Sequence, residues 1–115
     1  MNNELQQWRA HTDELVEALI NDGSNEEILH TIEHHFASEN FDHLERAAVN
    51  AFKLGFEIEE PEEAELEDGS KVFAFDIITQ QPLDAEIIFA ETEKMFNLAK
   101  QCQVEYDGWG TYFEE

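Results

Sequence analysis

His30-Thr31-Ile32-Glu33-His34-His35-Phe36 reads as the central strand of a small sheet, being rich in β-branched and aromatic residues and set between two helix-forming segments. Side chains alternate along a strand, so Ile32, His34 and Phe36 share one face while Thr31, Glu33 and His35 share the other. The adjacent histidines therefore look opposite ways. His34 belongs among apolar residues, and His35 is placed beside Glu33. A Glu-His-His run invites a metal, but only Glu33 and His35 can converge, and two ligands fall short of the three or four that zinc requires. The expectation is no metal and no cofactor.

Working outward, Leu5, Trp8, Thr12, Leu15, Val16, Leu19 and Ile20 recur at helical spacing and end at Asn21-Asp22-Gly23, which predicts an N-terminal helix over residues 1–22. On the other side of the strand, Ser38 to Asn40 offers a cap. Phe41, Leu44, Ala47, Ala48, Ala51 and Phe52 then form the stripe of a second helix stopped by Gly55.

Phe56 to Glu67 is read as the second strand, and eight of the twelve residues from Glu57 to Asp68 are acidic. Pro61 lies in its middle. Proline cannot donate to a ladder, so this strand must be a sheet edge. Charge and proline deter edge-to-edge aggregation, but so many carboxylates also form a ridge suited to a basic segment. Glu59, Glu60, Glu62, Glu63 and Glu65 are the candidate partner-binding residues there. Asp68-Gly69 signals a two-residue I′ hairpin into Lys71-Val72-Phe73-Ala74-Phe75-Asp76-Ile77-Ile78, a run apolar on both faces as an interior strand should be. Asp76 interrupts it and is read as a hydrogen-bonded structural carboxylate.

Pro82-Leu83-Asp84 caps a third helix, whose stripe runs Ile88, Thr92, Met95, Ala99 and Cys102. Cys102 is read as a small buried apolar residue. The final run, Val104 to Phe113, begins as a strand. Glycines flanking Trp109 suggest a bulge or a close backbone approach. Its aromatics either seal the sheet or anchor a partner, which makes Trp109 and Tyr112 the competing candidate contact residues.

These elements spell a helix followed by β-α-β-β-α-β. That is the ferredoxin-like split βαβ sandwich, an α+β fold with a four-stranded antiparallel sheet of order 4-1-3-2. The acidic strand falls at an edge by this topology as well. At 115 residues the chain is one domain, and it can bury roughly two thirds of its unfolded surface.

Charge bounds the function. With 28 Asp and Glu against 6 Lys and Arg, the net charge is -22. Nucleic acid and anionic membranes are repelled by such a surface, since binding to either rests on Lys and Arg. Basic protein segments are attracted. A lone cysteine excludes an internal disulfide and fits a reducing compartment. The N-terminus lacks the charged and apolar regions of a signal peptide, and no apolar run approaches 18 residues, so a soluble cytoplasmic protein is expected.

The residues carry a resemblance too. Asp22-Gly23-Ser24, Thr31-Ile32-Glu33-His34-His35, Ala47-Ala48-Val49 with Ala51-Phe52-Lys53-Leu54-Gly55, and Val104 through Phe113 (VEYDGWGTYF) closely resemble the RraB family, the B-type bacterial regulators of ribonuclease E activity. The resemblance implies a cytoplasmic, non-catalytic protein that binds the C-terminal scaffold region of ribonuclease E, inhibits RNA cleavage and alters the composition of the degradosome. Two other readings fit the composition. One is a small-molecule-sensing ferredoxin-like domain, against which stands the lack of a glycine-rich ligand loop. The other is an acidic nucleic-acid mimic directed at a different basic protein. An enzyme is not expected, because no Ser-His-Asp or Cys-His arrangement can be placed.

Overall fold

The computed structural model describes residues 3–23 and 27–111. The elements are α1 (Asn3–Asn21), β1 (His30–Ser38), α2 (Phe41–Lys53), β2 (Glu57–Ile58), β3 (Glu62–Glu65), β4 (Lys71–Gln81), α3 (Ala85–Cys102) and β5 (Glu105–Thr111). They form a mixed α+β fold in which three helices cover one face of a five-stranded antiparallel sheet.

The sheet runs β2-β4-β1-β5, with β3 also paired to β4. Two sequence expectations are corrected here. The sheet has five strands rather than four, because the acidic segment is not one strand but two short ones. The break falls at Glu59-Glu60-Pro61, where the ring nitrogen of Pro61 has no hydrogen to donate. Both pieces pair with β4, whose eleven residues are long enough to hold them end to end. The turn into β4 is also not of the I′ kind. Leu66 pairs with Ser70 across a three-residue loop, and of the loop residues only Gly69 has positive φ (87°). A type I turn closed by a left-handed glycine fits that geometry. The Asp68 carboxylate accepts from the Ser70 amide and hydroxyl, and these bonds hold its pKa below the ordinary value.

The local signals act as their chemistry requires. Asn40 accepts from the His43 amide at the start of α2, and Asp84 accepts from the Glu86 and Ile87 amides at the start of α3. In β1, burial alternates residue by residue from His30 to Phe36. Ile32, His34 and Phe36 point under the helices and pair with Thr79, Ile77 and Phe75 of β4. Phe36 stacks on Phe75, with centroids 5.0 Å apart.

The core falls into two clusters along β1. One gathers Phe36, Phe75 and Ile77 of the sheet with Leu44, Ala47 and Ala51 of α2 and Met95, Ala99 and Cys102 of α3. The small residues of α2 let that helix approach the strands closely. The other joins Ile32 and Trp109 to Val16 of α1, Leu83 and Ile88. His34 lies between the two. α1 is fastened against α3 and β5: Trp8 meets Tyr106 edge-on at 5.1 Å, and the Trp109 indole donates to Thr12. Of the glycines flanking Trp109, Gly108 makes the expected close approach. The β1–β5 register shifts between His35 and Phe36, and Gly108, at φ 102°, passes the Trp8 ring so closely that a Cβ would lie 2.9 Å from Cζ3. Among the described residues no helix is long and apolar enough to cross a membrane.

Candidate functional site

The helices cover one face of the sheet, and among the described residues no element covers the opposite face. On it, alternation and register bring together Glu33 and His35 of β1, Asp76 of β4, Glu57 of β2, Glu62 of β3 and Glu105 of β5. His35 Nδ1 lies 2.9 Å from Asp76 Oδ1, its cross-strand neighbour. Asp76 thus has a partner that only the register supplies. Asp107, in the bulge of β5, feels His35 as well. Burial pushes its carboxyl above the ordinary value, and attraction to His35 opposes that without cancelling it. His35 is the one group on this face, among the described residues, that can carry positive charge.

The cations lie elsewhere. Arg9, Arg46, Lys53, Lys94 and Lys100 ride on the helices, and Lys71 begins β4, paired with Glu63 at 3.0 Å. Net charge is therefore segregated by layer, with a sheet side almost wholly negative. That is a stronger directional field than a mixed surface of equal charge gives.

Of the residues singled out from sequence, Glu59, Glu60, Glu62, Glu63 and Glu65 stand together and exposed along the β2–β3 edge. The Glu59 amide donates to the Asp76 carbonyl, which ties the interstrand segment back to β4. Trp109 is not brought to this edge. It lies across β4 and β1 in β5, 4% exposed, within the core. Tyr112 lies outside the described residues.

Beneath the sheet is a buried polar chain that sequence reasoning missed. His34 Nε2 is 2.7 Å from Glu91 Oε1 and His34 Nδ1 is 2.9 Å from the Tyr106 hydroxyl. Glu91 also accepts from the Thr79 hydroxyl and, through Oε2, from the Gln81 amide. Burial raises the pKa of this carboxyl. The bonds from His34, Thr79 and Gln81, with the attraction of His34, outweigh it and leave Glu91 below its ordinary 4.5. Burial drives the Tyr106 phenol far above its usual range. A signal for Glu91 existed: it sits three residues after Ile88 and four before Met95, on the same stripe. His34 is fully buried, so no substrate reaches it and the chain holds structure together. Among the described residues no three His, Cys, Asp or Glu converge as metal ligands.

The fold and site together define an acidic α+β protein whose carboxylates are spread over an open sheet face and edge rather than gathered in a cleft. The profile of the family described as "Regulator of ribonuclease activity B" matches residues 9–111, and the chain belongs to that family, RraB. Among similar proteins, the Regulator of ribonuclease activity B of Colwellia psychrerythraea is 67% identical over 115 residues, covering 100% of this chain and 99% of its own. That of Pseudoalteromonas translucida is 50% identical over 111 residues, covering 96% and 100%, and that of Aeromonas salmonicida 50% over 115, covering 100% of both.

Proposed function

We propose that this chain is a non-catalytic cytoplasmic regulator that binds the C-terminal scaffold region of ribonuclease E, lowers its endonucleolytic activity and remodels the RNA degradosome. The observation that carries the reading is the charge segregation. A negative sheet face and edge, with five of the six Lys and Arg carried on the helices, is complementary to a basic protein segment and repels RNA itself. Family membership supplies the ribonuclease. Similar proteins that span the whole chain are named Regulator of ribonuclease activity B. In this reading Glu59, Glu60, Glu62, Glu63 and Glu65 steer the basic segment to the sheet. With β2 and β3 counted as one broken edge strand, the fold is a ferredoxin-like split βαβ sandwich.

The test is kinetic. The full chain is immobilised and the purified C-terminal region of ribonuclease E is passed over it at low and high salt. Association should be fast at low salt and slow steeply as salt rises, since steering fields accelerate encounter by about 10–10³ and are screened. Absence of binding at low salt, or cleavage of RNA by the chain alone, overturns the proposal.

A further inference from the structure

The charged surface is not the only one this fold leaves open. Phe41, Val49, Phe52 and Leu54 are 41%, 44%, 69% and 69% exposed. Phe41, Glu45, Val49 and Phe52 lie four, four and three residues apart, which puts them on one stripe of α2. That stripe is distinct from Leu44, Ala47, Ala48 and Ala51, which face the core. Phe41 leans on Phe73 at 5.2 Å, but among the described residues no element covers the others. Across from them stand Ile58 of β2 and Pro61, at the point where the edge breaks. Between the two walls runs an apolar groove of about 380 Å³, and among the described residues its charged lining groups are Glu45 and Glu60. Exposed apolar surface of this kind marks an interaction site more often than chance.

We infer that this groove seats one large apolar side chain of a basic partner segment, with flanking Lys or Arg residues on Glu45 and Glu60. The chemistry of the occupant follows from charge. Both charged groups at the groove are carboxylates, and Glu57, Glu59 and Glu62 continue from it along the edge. A second copy of this chain would bring another -22 to the same place, and an acidic partner meets the same repulsion. An apolar side chain alone gives affinity without direction; carboxylates alone give direction without a seat. The inference rests on the proposed function in one respect, that the segment belongs to the ribonuclease scaffold. It adds that the carboxylates set the rate of encounter and the groove sets the lifetime of the complex.

The experiment compares dissociation from the ribonuclease E C-terminal region for the wild-type chain, a Val49→Ser/Phe52→Ser double variant and a Phe52→Leu variant. Both positions are exposed, so folding should be unchanged by circular dichroism and thermal melting. The double variant should dissociate about tenfold faster or more, as truncation of an interface anchor does. Its association rate and salt dependence should match wild type, and Phe52→Leu should stay near wild type. A double variant that dissociates at the wild-type rate overturns the groove while leaving the proposed function intact. Should the wild-type chain fail to bind the scaffold, the function falls, and the groove is judged with a synthetic Lys/Arg-rich peptide carrying a single Trp. Binding that the double variant loses upholds the groove; no binding overturns it. Self-association that the double variant abolishes overturns it too, since the occupant would then be a second copy.

Discussion

His34 Nε2 and Glu91 Oε1 meet 2.7 Å apart between the two apolar clusters, joining β1 to α3 through the middle of the core. A carboxylate can only accept, so Nε2 carries the proton of this bond, and in the neutral ring Nδ1 accepts from the Tyr106 hydroxyl. Tyr106 is on β5, Thr79 and Gln81 on β4. Glu91 therefore ties β1 and β4 to α3 directly, and β5 joins the chain through His34.

Removing Glu91 should be costly. Glu91→Ala leaves His34, Thr79 and Gln81 without their acceptor, and the loss should be about 3 kcal/mol, where the ranges for an orphaned buried polar group and a broken buried ion pair meet. The pH dependence has a definite sign. The folded-state pKa of Glu91 lies below its ordinary 4.5, so its contribution is full above that value and is lost as pH falls through the folded-state value. In denaturant unfolding, the stability gap between wild type and Glu91→Gln should be constant near neutrality and shrink below about pH 4.5. A gap that widened in acid would reverse the assignment.

The two glycines beside Trp109 should behave differently. At Gly108 a methyl group would meet Trp8 Cζ3 at 2.9 Å and Cη2 at 3.2 Å, with φ at 102°, where L-residues are strained. Gly108→Ala should cost roughly 2–4 kcal/mol. At Gly110 the nearest atom is His35 Nε2, 3.7 Å away, an ordinary contact. Gly110→Ala should change stability by under about 1 kcal/mol, measured by the same melts.

Replacing Glu59, Glu60, Glu62, Glu63 and Glu65 together with Gln should leave the fold intact. These groups are exposed, and such surface charges contribute little individually. Relief of repulsion in a -22 chain acts in the stabilising direction. Association with the ribonuclease scaffold should slow and its salt dependence flatten, read by surface plasmon resonance. An unchanged rate at low salt would mean that the edge carboxylates only deter aggregation.

Trp109→Ala should fail through the core rather than the surface. The indole is 4% exposed and donates to Thr12, which α1 presents. Its loss opens a cavity and should cost about 3–5 kcal/mol. Any defect in binding should track the unfolded fraction seen by circular dichroism. A folded Trp109 variant that no longer binds would place the aromatic run at the interface.

Elemental analysis of untagged protein should find no stoichiometric zinc, nickel or iron, and RNA incubated with the chain alone should stay intact and unshifted on a native gel. Glu33 and His35 share a face with Asp76, whose bond to His35 occupies the imidazole Nδ1. One equivalent of metal retained through dialysis would overturn this.

Short-range regularities made much of this protein legible from its sequence. The period of 3.6 located all three helices, and Asn40, Asp84 and Gly55 marked their ends because capping is settled within a few residues. The period of two separated His34 from His35 and placed one in the core. Composition fixed the sign of the surface, and Pro61 fixed which segment must be an edge.

What sequence could not supply was whatever depends on register and on which residues meet across the sheet. Pairing His35 with Asp76 requires knowing that β1 and β4 run antiparallel in one alignment out of several. That both pieces of the broken acidic edge, β2 and β3, pair with one strand depends on the length of β4 opposite them. Trp109 read as core or as anchor, with core favoured, and the choice closed only when the Thr12 hydroxyl was placed 3.0 Å from its nitrogen. Glu91 is one of 28 acidic residues, and its place on the stripe of α3 marks it for burial without naming its partner. It is buried because His34, 57 positions away, needs an acceptor there. Local structure follows from the chain's own neighbours; which polar groups satisfy one another in the core is decided only when distant elements pack.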